Sequence, residues 1–78
     1  MKIVVFGGGG FIGSYVVDRL LKEGYGLRVF ERPRVEPYRT FSADEQVEWF
    51  AGDMLSVHDV SEAVAGMDAV VHLVSFTL

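Results

Sequence analysis

The feature that most constrains the fold of this chain is a run of four glycines, Gly7 to Gly10, placed directly after an apolar segment. Glycine loses more backbone freedom on folding than any other residue, so four in succession must serve a purpose that a side chain would obstruct. The preceding residues, Ile3 to Phe6, are β-branched and aromatic without alternation, which predicts a strand buried on both faces. The following segment, FIGSYVVDRLLKEG, has helical spacing. A strand, a glycine loop and a helix in this order present free backbone amides to a phosphate.

The first helix is expected to bury one ridge of apolar side chains and to end at Gly24. The ridge comprises Ile12, Val16 and Leu20, with Val17 and Leu21 beside it. Gly24 suits the position after a helix end, and Arg19 and Lys22 suit the last turn, where the helix dipole favours cations. The segment therefore predicts an amphipathic helix lying on a sheet.

Three further strands and a second helix are predicted along the chain. The strands are LRVFE at 27–31, VEWFAGD at 47–53 and AVVHLVS at 69–75. Ser56 followed by Asp59 fits a capping box for a helix of about ten residues, closed at Gly66. Residues 32–46 contain two prolines and no sustained apolar period, so we expect an irregular connection with at most a short turn of helix. The segment RPRVEPYR at its start is expected to be mostly a solvated loop.

This order of elements predicts an α/β fold. Buried strands separated by crossovers form a parallel sheet, and such crossovers are right-handed in nearly all cases. We expect four strands in the order 3-2-1-4 with two main helices, the N-terminal part of a Rossmann-type doubly wound parallel sheet. Residues 1–78 would be one portion of a dinucleotide-binding domain, with the substrate-binding C-terminal region absent. The apolar fourth strand would lie at an open edge, so edge-strand association or a homo-oligomer is expected.

Composition excludes several classes of protein. Half of the 78 residues are hydrophobic and the net charge is −4, which indicates a globular chain and argues against a nucleic-acid partner. The apolar run before the glycines is too short for a signal peptide, and no segment is long enough to cross a membrane. The two histidines have no clustered acids or thiols, so no metal site is expected. His72, in an apolar strand, is expected to be a core histidine. A cytoplasmic protein is the default prediction.

The glycines fit a dinucleotide motif rather than a P-loop. Gly7, Gly10 and Gly13 form G-x-x-G-x-x-G, and Gly8, Gly10 and Gly13 also satisfy G-x-G-x-x-G. No Gly-Lys-Ser/Thr follows them. Glu31 ends the second strand 18 residues after Gly13, near the offset expected for an acid that holds the adenosine ribose. The alternatives are a glycine-rich turn without a ligand and, for Glu31, a solvated acid at a strand end.

The segments GGGGFIGSYVVDRLLKEGYGLRVFER and FAGDMLSVHDVSEAVAGMDAVVHLVS resemble the start of the extended short-chain dehydrogenase/reductase family. Within that family, the likeness is to nucleotide-sugar epimerases and dehydratases of the UDP-glucose 4-epimerase type. It covers essentially the whole chain, and its most specific parts are the glycine motif, the acid ending strand two, Gly52-Asp53 and HLVS.

The resemblance implies a role for each matching position. Gly7, Gly10 and Gly13 would shape the diphosphate site, and the amides of Phe11 and Ile12 would donate to the phosphates. Glu31 would accept from the ribose hydroxyls, Asp53 would contact the adenine amino group and Met54 would pack on the ring. Leu73, Val74 and Ser75 would pass along the ribose and nicotinamide side; small residues are commoner there in the family. Asp53 could equally cap the turn before the next helix.

The cofactor is expected to be NAD. The carboxylate of Glu31 would repel a 2′-phosphate, whereas Arg32 and Arg34 directly after it are the kind of residue that accommodates NADP, so NADP is the less favoured alternative.

Catalytic residues are not expected within these 78 residues. The resembled family uses a Tyr-x-x-x-Lys pair, but Tyr15, Tyr25 and Tyr38 are followed four positions later by Arg, Val and Ser. The chain alone is therefore predicted to be inactive and to belong to a longer enzyme acting on a nucleotide sugar, an epimerase that transiently oxidises a sugar hydroxyl. The alternatives are a dehydratase or reductase of the same family and a non-catalytic NAD(P)-binding sensor.

Overall fold

The computed structural model describes residues 1–74, and its six elements follow the predicted order. The strands are β1 (Lys2–Phe6), β2 (Gly26–Glu31), β3 (Val47–Ala51) and β4 (Ala69–His72), and the helices are α1 (Phe11–Lys22) and α2 (Val57–Val64). Neighbouring strands pair in parallel, in the order β3-β2-β1-β4. The sheet confirms the predicted α/β class and strand order.

The two helices cover opposite faces of the sheet because side chains alternate along each strand. On one face, Val17 of α1 packs against a buried cluster from β1 and β2 that comprises Ile3, Val5, Leu27 and Val29. On the other face, Ala63 of α2 packs against Val4, Phe6 and Phe30. Each central strand therefore has both faces in a core, which explains why the strand sequences do not alternate.

The inward face of α1 differs from the predicted ridge. Val17 is fully buried, whereas Ile12 is 67% exposed. Gly13 is buried in the first turn. Because this glycine has no side chain, the first turn rests directly on the loop backbone, and the buried stripe runs through Gly13 and Val17. The prediction that Ile12 joins the core ridge was wrong.

The end of α1 at Gly24 is confirmed. Gly24 has a φ of +90°, which L residues with side chains rarely adopt. Its amide donates to the carbonyl of Leu21 (3.0 Å), and the amide of Tyr25 donates to the carbonyl of Leu20 (3.2 Å). These two bonds form a Schellman motif and satisfy carbonyls that the helix leaves free.

The start of α2 is confirmed, but its end is earlier than predicted. The Ser56 hydroxyl accepts from the amide of Asp59 (3.2 Å), while the Asp59 carboxylate accepts from the amide of Asp53 (2.9 Å) instead of returning to Ser56. The helix has eight residues because the chain becomes extended at Ala65.

Arg28 of β2 binds the carbonyls at the C-terminal end of α2. Its guanidinium Nη1 donates to the carbonyls of Glu62 (3.1 Å), Ala63 (2.9 Å) and Ala65 (3.1 Å), and its Nε donates to Glu48 (3.0 Å). A cation at this end also complements the helix dipole. One side chain thus joins β2, β3 and α2.

Two strands end before the predicted residues. β3 ends at Ala51 instead of residue 53, because Asp53 begins a turn in which its carboxylate accepts from the amide of Leu55 (2.9 Å). β4 ends at His72 instead of residue 75. Leu73 and Val74 follow it outside the strand, and Ser75 lies outside the described residues.

Candidate functional site

The loop Gly7–Gly10 carries the chain from the carboxyl end of β1 into α1. Gly7 has a φ of +86°, so this turn requires a residue without a Cβ. Its amide donates to the carbonyl of Phe30 in β2 (2.9 Å), which anchors the loop to the neighbouring strand. The loop therefore has a fixed position at the carboxyl edge of the sheet, where ligands of doubly wound folds bind.

Two glycines of the motif are required by packing within the protein itself. A Cβ on Gly8 would lie 2.7 Å from Cγ1 of Val29, and one on Gly13 would lie 2.7 Å from Cα of Gly8. Real Cβ atoms essentially never approach other atoms this closely. These glycines let the loop and α1 lie directly against the sheet.

Gly10 is different, because the protein does not require it to be glycine. A Cβ there would meet only the carbonyl oxygen of Gly7, at 3.9 Å, and the backbone at this position is extended. Gly10 is exposed and is the N-cap of α1. The space that its missing side chain leaves free is open to a ligand.

The amides beside Gly10 face this space without partners from residues 1–74. α1 begins without a side-chain cap and without an acidic residue in its first turn. The side chains of Phe11 and Ile12 are 79% and 67% exposed, and their amides have no acceptor within the described part of the chain. Unpaired amides and the positive end of the helix dipole together attract an anion.

Glu31 lies next to the glycine loop, at the carboxyl end of β2. Its Oε2 accepts from the amide of Gly9 (2.9 Å), and its Oε1 accepts from the amide of Arg32 (3.2 Å). The side chain is half-buried, and its hydrogen bond with Gly9 holds the carboxylate at the loop. The structure thus brings Glu31 beside the candidate anion site, one loop residue away from Gly10.

A cleft of about 680 Å³ lies between the residues that follow Glu31 and those that follow β3. It is lined by Arg32, Pro33, Arg34, Val35, Gly52 and Asp53. The structure therefore brings together Arg32 and Asp53, which sequence reasoning had placed near the adenosine. Asp53 is exposed, and its carboxylate makes the turn bond to Leu55 described above, so the capping role is observed while adenine contact stays a prediction.

Met54 and the residues after β4 lie on two other sides of the loop. Met54 is half-buried and packs against the core cluster that contains Phe6 and Phe30. The amide of Leu73 donates to the carbonyl of Phe6 (2.9 Å), and a Cβ on Gly7 would lie 2.9 Å from Cγ2 of Val74. Val74 therefore closes the side of the loop that faces β4. The cofactor roles of Met54, Leu73 and Val74 remain predictions.

His72 is not a core histidine. It is exposed at the end of β4, and its ring stacks on Phe6 with centroids 6.0 Å apart. The prediction of burial was wrong because β4 is an edge strand among the described residues. Its side chains on the α2 face therefore have a neighbouring strand on one side only.

Residues 1–74 contain no cluster of three or more His, Cys, Asp or Glu side chains that could hold a metal ion. In the same part of the chain, no helix combines the length and apolar character needed to cross a membrane.

Sequence reasoning missed a group of side chains that fixes the β2–β3 connection. Arg39 binds both Asp18 of α1 and Glu45 (2.9 Å and 2.6 Å), and the Tyr38 hydroxyl donates to Asp18 (2.8 Å). Hydrogen bonds from Arg39 lower the pKa of Glu45 to about 2. Burial, with the Asp18 hydrogen bond, raises the pKa of Tyr38 to about 12. The connection has no apolar period, so the sequence offered no signal for these contacts. It is irregular and mostly exposed, as predicted, but Tyr38 and Arg39 are half-buried.

Comparisons with known proteins agree with the geometry. A family model described as "NAD dependent epimerase/dehydratase family" matches residues 3–77. Human sterol-4-alpha-carboxylate 3-dehydrogenase, decarboxylating, is 34% identical over 74 residues, which are 95% of this chain and 18% of that relative. The chain spans about a fifth of the length of the first curated relatives it matches.

Two solved structures show the same fold. A mutant of uronate dehydrogenase from Agrobacterium tumefaciens, complexed with NAD, has a TM-score of 0.77 and 25% identity, covering 99% of this chain and 27% of its own. UDP-N-acetylglucosamine 4-epimerase from Bacillus cereus has a TM-score of 0.73 and 29% identity, covering 100% of this chain and 23% of its own.

Proposed function

The chain belongs to the NAD-dependent epimerase/dehydratase family, and we propose that it binds the diphosphate and adenosine of NAD at the loop Gly7–Gly10. The observation that carries this proposal is the free space at Gly10 in front of unpartnered amides. Packing explains Gly8 and Gly13. At position 10, where the protein leaves room for a side chain, a ligand that approaches the backbone closely would account for a glycine. The diphosphate of a dinucleotide has the charge and the reach that such a site requires.

Each half of the proposed ligand has its own residues. The amides of Phe11 and Ile12 would donate to the diphosphate, with Gly7, Gly10 and Gly13 shaping the loop. Glu31 would exchange its bond with the amide of Gly9 for the ribose hydroxyls, and the cleft beyond it would receive the adenine beside Asp53 and Met54. Leu73, Val74 and Ser75 would follow the nicotinamide side.

We propose NAD in preference to NADP. The carboxylate of Glu31 accepts from the loop amide of Gly9 and from the amide of Arg32, and at the proposed ribose position its negative charge would repel a 2′-phosphate. Arg32 and Arg34 line the neighbouring cleft, and their positive charges would instead favour the 2′-phosphate of NADP. The ratio of the Kd values for NAD and NADP decides between them.

The proposed activity of the whole protein is hydride transfer to and from NAD, with a nucleotide sugar as substrate and epimerisation as the outcome. NAD would supply a hydride acceptor, and the residues described here would hold and orient it. A dehydrogenase is the second candidate, favoured by the sterol dehydrogenase among the relatives. If the protein is an epimerase, it converts a nucleotide sugar without net formation of NADH. If it is a dehydrogenase, one NADH forms for each substrate molecule oxidised.

A non-catalytic NAD(P)-binding sensor remains the alternative from another class. It would bind the dinucleotide with the same residues. Absence of both epimerase and dehydrogenase turnover, together with intact NAD binding, would favour the sensor.

Gly10→Ala tests the site itself. The φ of −80° suits alanine, so the variant should fold with a free energy of unfolding within about 1 kcal/mol of the wild type. Its Cβ should weaken binding of ADP-ribose, measured by calorimetry, at least tenfold, which corresponds to about 1.4 kcal/mol.

Gly26→Ala is the matched control. Its Cβ would approach only the flexible side chains of Gln46 and Lys2, at the opposite end of β2. Equal ADP-ribose affinity in the wild type and in folded Gly10→Ala would contradict the proposal.

A further inference from the structure

Apart from the bond between the amide of Leu27 and the carbonyl of Gln46 (2.8 Å), two attachments hold the connection between β2 and β3, residues 32–46, to the rest of the protein. The first is a turn in which the amide of Val35 donates to the carbonyl of Arg32 (3.0 Å). Val35 lies against the glycine loop, since its Cγ1 is 2.9 Å from the position that a Cβ on Gly9 would occupy. This turn forms one wall of the cleft assigned above to the adenosine.

The second attachment is the Arg39 clamp, made of Asp18, Tyr38, Arg39 and Glu45. Arg39 donates from Nε and Nη2 to Oδ1 of Asp18 (3.1 Å and 2.9 Å), and from Nη1 and Nη2 to the two oxygens of Glu45 (3.0 Å and 2.6 Å). A two-pronged contact between guanidinium and carboxylate is both strong and directional. Arg39 thus ties the connection to α1.

Aromatic side chains support the clamp from the core side. The guanidinium of Arg39 lies over the ring of Phe41 at 4.3 Å from its centroid, within the range of a cation–π interaction. Tyr38 and Phe41 both pack against the cluster under α1. The Tyr38 hydroxyl lies within 3.3 Å of the carbonyl of Ser14, so the clamp meets α1 only one turn after the candidate phosphate amides.

The two attachments are too close in sequence to move independently. Val35 and Tyr38 are three residues apart, which spans at most about 10 Å of extended chain. Pro37 between them fixes one backbone angle and removes further freedom. Because Tyr38 is held on α1, the position of Val35 is restricted as well.

On the basis of the dinucleotide site proposed above, we propose that Arg39 is a positioning residue for the adenosine half of the ligand. It touches neither the loop amides nor Glu31. It holds residues 32–35 against Gly9, so that the adenosine cleft is formed before the ligand arrives, and binding does not have to supply the cost of ordering this segment.

Arg39→Met tests the proposal, since methionine retains much of the apolar stem but loses the clamp. We expect it to weaken binding of ADP-ribose about fivefold to twentyfold. Binding of inorganic pyrophosphate, followed by the NMR shifts of the Phe11 and Ile12 amides, should change less than twofold. We also expect faster hydrogen exchange of the Val35 amide without any ligand.

Arg19→Met is the matched control. Arg19 lies on α1, the helix that Arg39 contacts through Asp18, and pairs with Glu23 (3.0 Å). Its loss removes the same charge without touching the connection. It should leave all three measurements unchanged. The proposal is overturned if folded Arg39→Met binds ADP-ribose as the wild type does, or if it loses ADP-ribose and pyrophosphate in equal measure.

Glu45→Gln decides the matter if Arg39→Met does not fold. It removes one partner of the clamp and should weaken ADP-ribose binding with unchanged pyrophosphate binding; unchanged ADP-ribose binding would overturn the proposal. A wild-type protein that binds neither ligand refutes the proposed function and, with it, the role of Arg39 in binding. A wild type that binds both, with variants that bind equally well, refutes only the positioning role.

Discussion

At the scale of single residues, the glycines of one motif have different physical reasons. Gly7 supplies a backbone angle, while Gly8 and Gly13 allow close packing against Val29 and against the loop. Gly10 meets no such demand from the protein. A motif read as one pattern therefore contains three structural positions and one that points to a ligand, and only contact distances separate them.

Glu45 also acts as a single residue, and its charge gives a pH-dependent prediction. Its folded-state pKa, about 2, lies below the ordinary value of 4.5, mainly because of the Arg39 hydrogen bonds. Its contribution to stability is therefore fully present above about pH 4.5 and is lost as the pH falls toward 2. Urea unfolding should show wild type more stable than Glu45→Gln at pH 6, with the difference shrinking toward pH 2. A constant difference over this range would contradict the ion pair.

At the scale of elements, helix ends decide how the layers are connected. The carbonyls at the end of α1 are satisfied by the backbone around Gly24, whereas those at the end of α2 are bound by Arg28 from a strand beneath it. The first kind of ending is local and was predicted. The second kind of ending joins Arg28 to Glu62, more than thirty positions away in the chain, and no local sequence pattern indicates it.

Arg28→Met should therefore destabilise the protein more than loss of a surface arginine does. The Arg28 side chain is only 17% exposed and serves three carbonyls, so we expect the free energy of unfolding to fall by about 2 kcal/mol. Arg19→Met, whose ion pair is exposed, should cost less than about 0.5 kcal/mol. Urea unfolding measures both, and equal costs would contradict the capping role.

At the scale of the whole molecule, the described part of the sheet has two edge strands, β3 and β4, and β4 carries an exposed apolar side chain. Within residues 1–74, β4 pairs only with β1, and Val70 is 53% exposed on it. Unpaired strand edges of this kind join other chains. We propose that the chain self-associates through β4, as its sequence also led us to expect.

Val70→Lys should weaken that association, because a charged side chain at a strand edge opposes pairing with a second strand. Sedimentation equilibrium should show the variant shifted toward monomer by at least tenfold in the dimer dissociation constant. Leu55→Lys introduces the same charge at a residue 82% exposed and away from β4, so it should not shift the equilibrium. Equal shifts in both variants would show that net charge, rather than the edge, controls association.

The sequence by itself determined the order of elements, the parallel sheet and the glycine loop, because these follow from short-range patterns of apolar residues, caps and glycines. It also pointed to Glu31, through its spacing from Gly13, and to Asp53, through the family resemblance. Only the tertiary structure decided that Ile12 and His72 are exposed and that Gly10 is the glycine without a packing role. It alone placed Arg39 between Asp18 and Glu45. Such facts depend on which surfaces meet across the sheet, and distances between segments far apart in the chain leave no periodic trace in it.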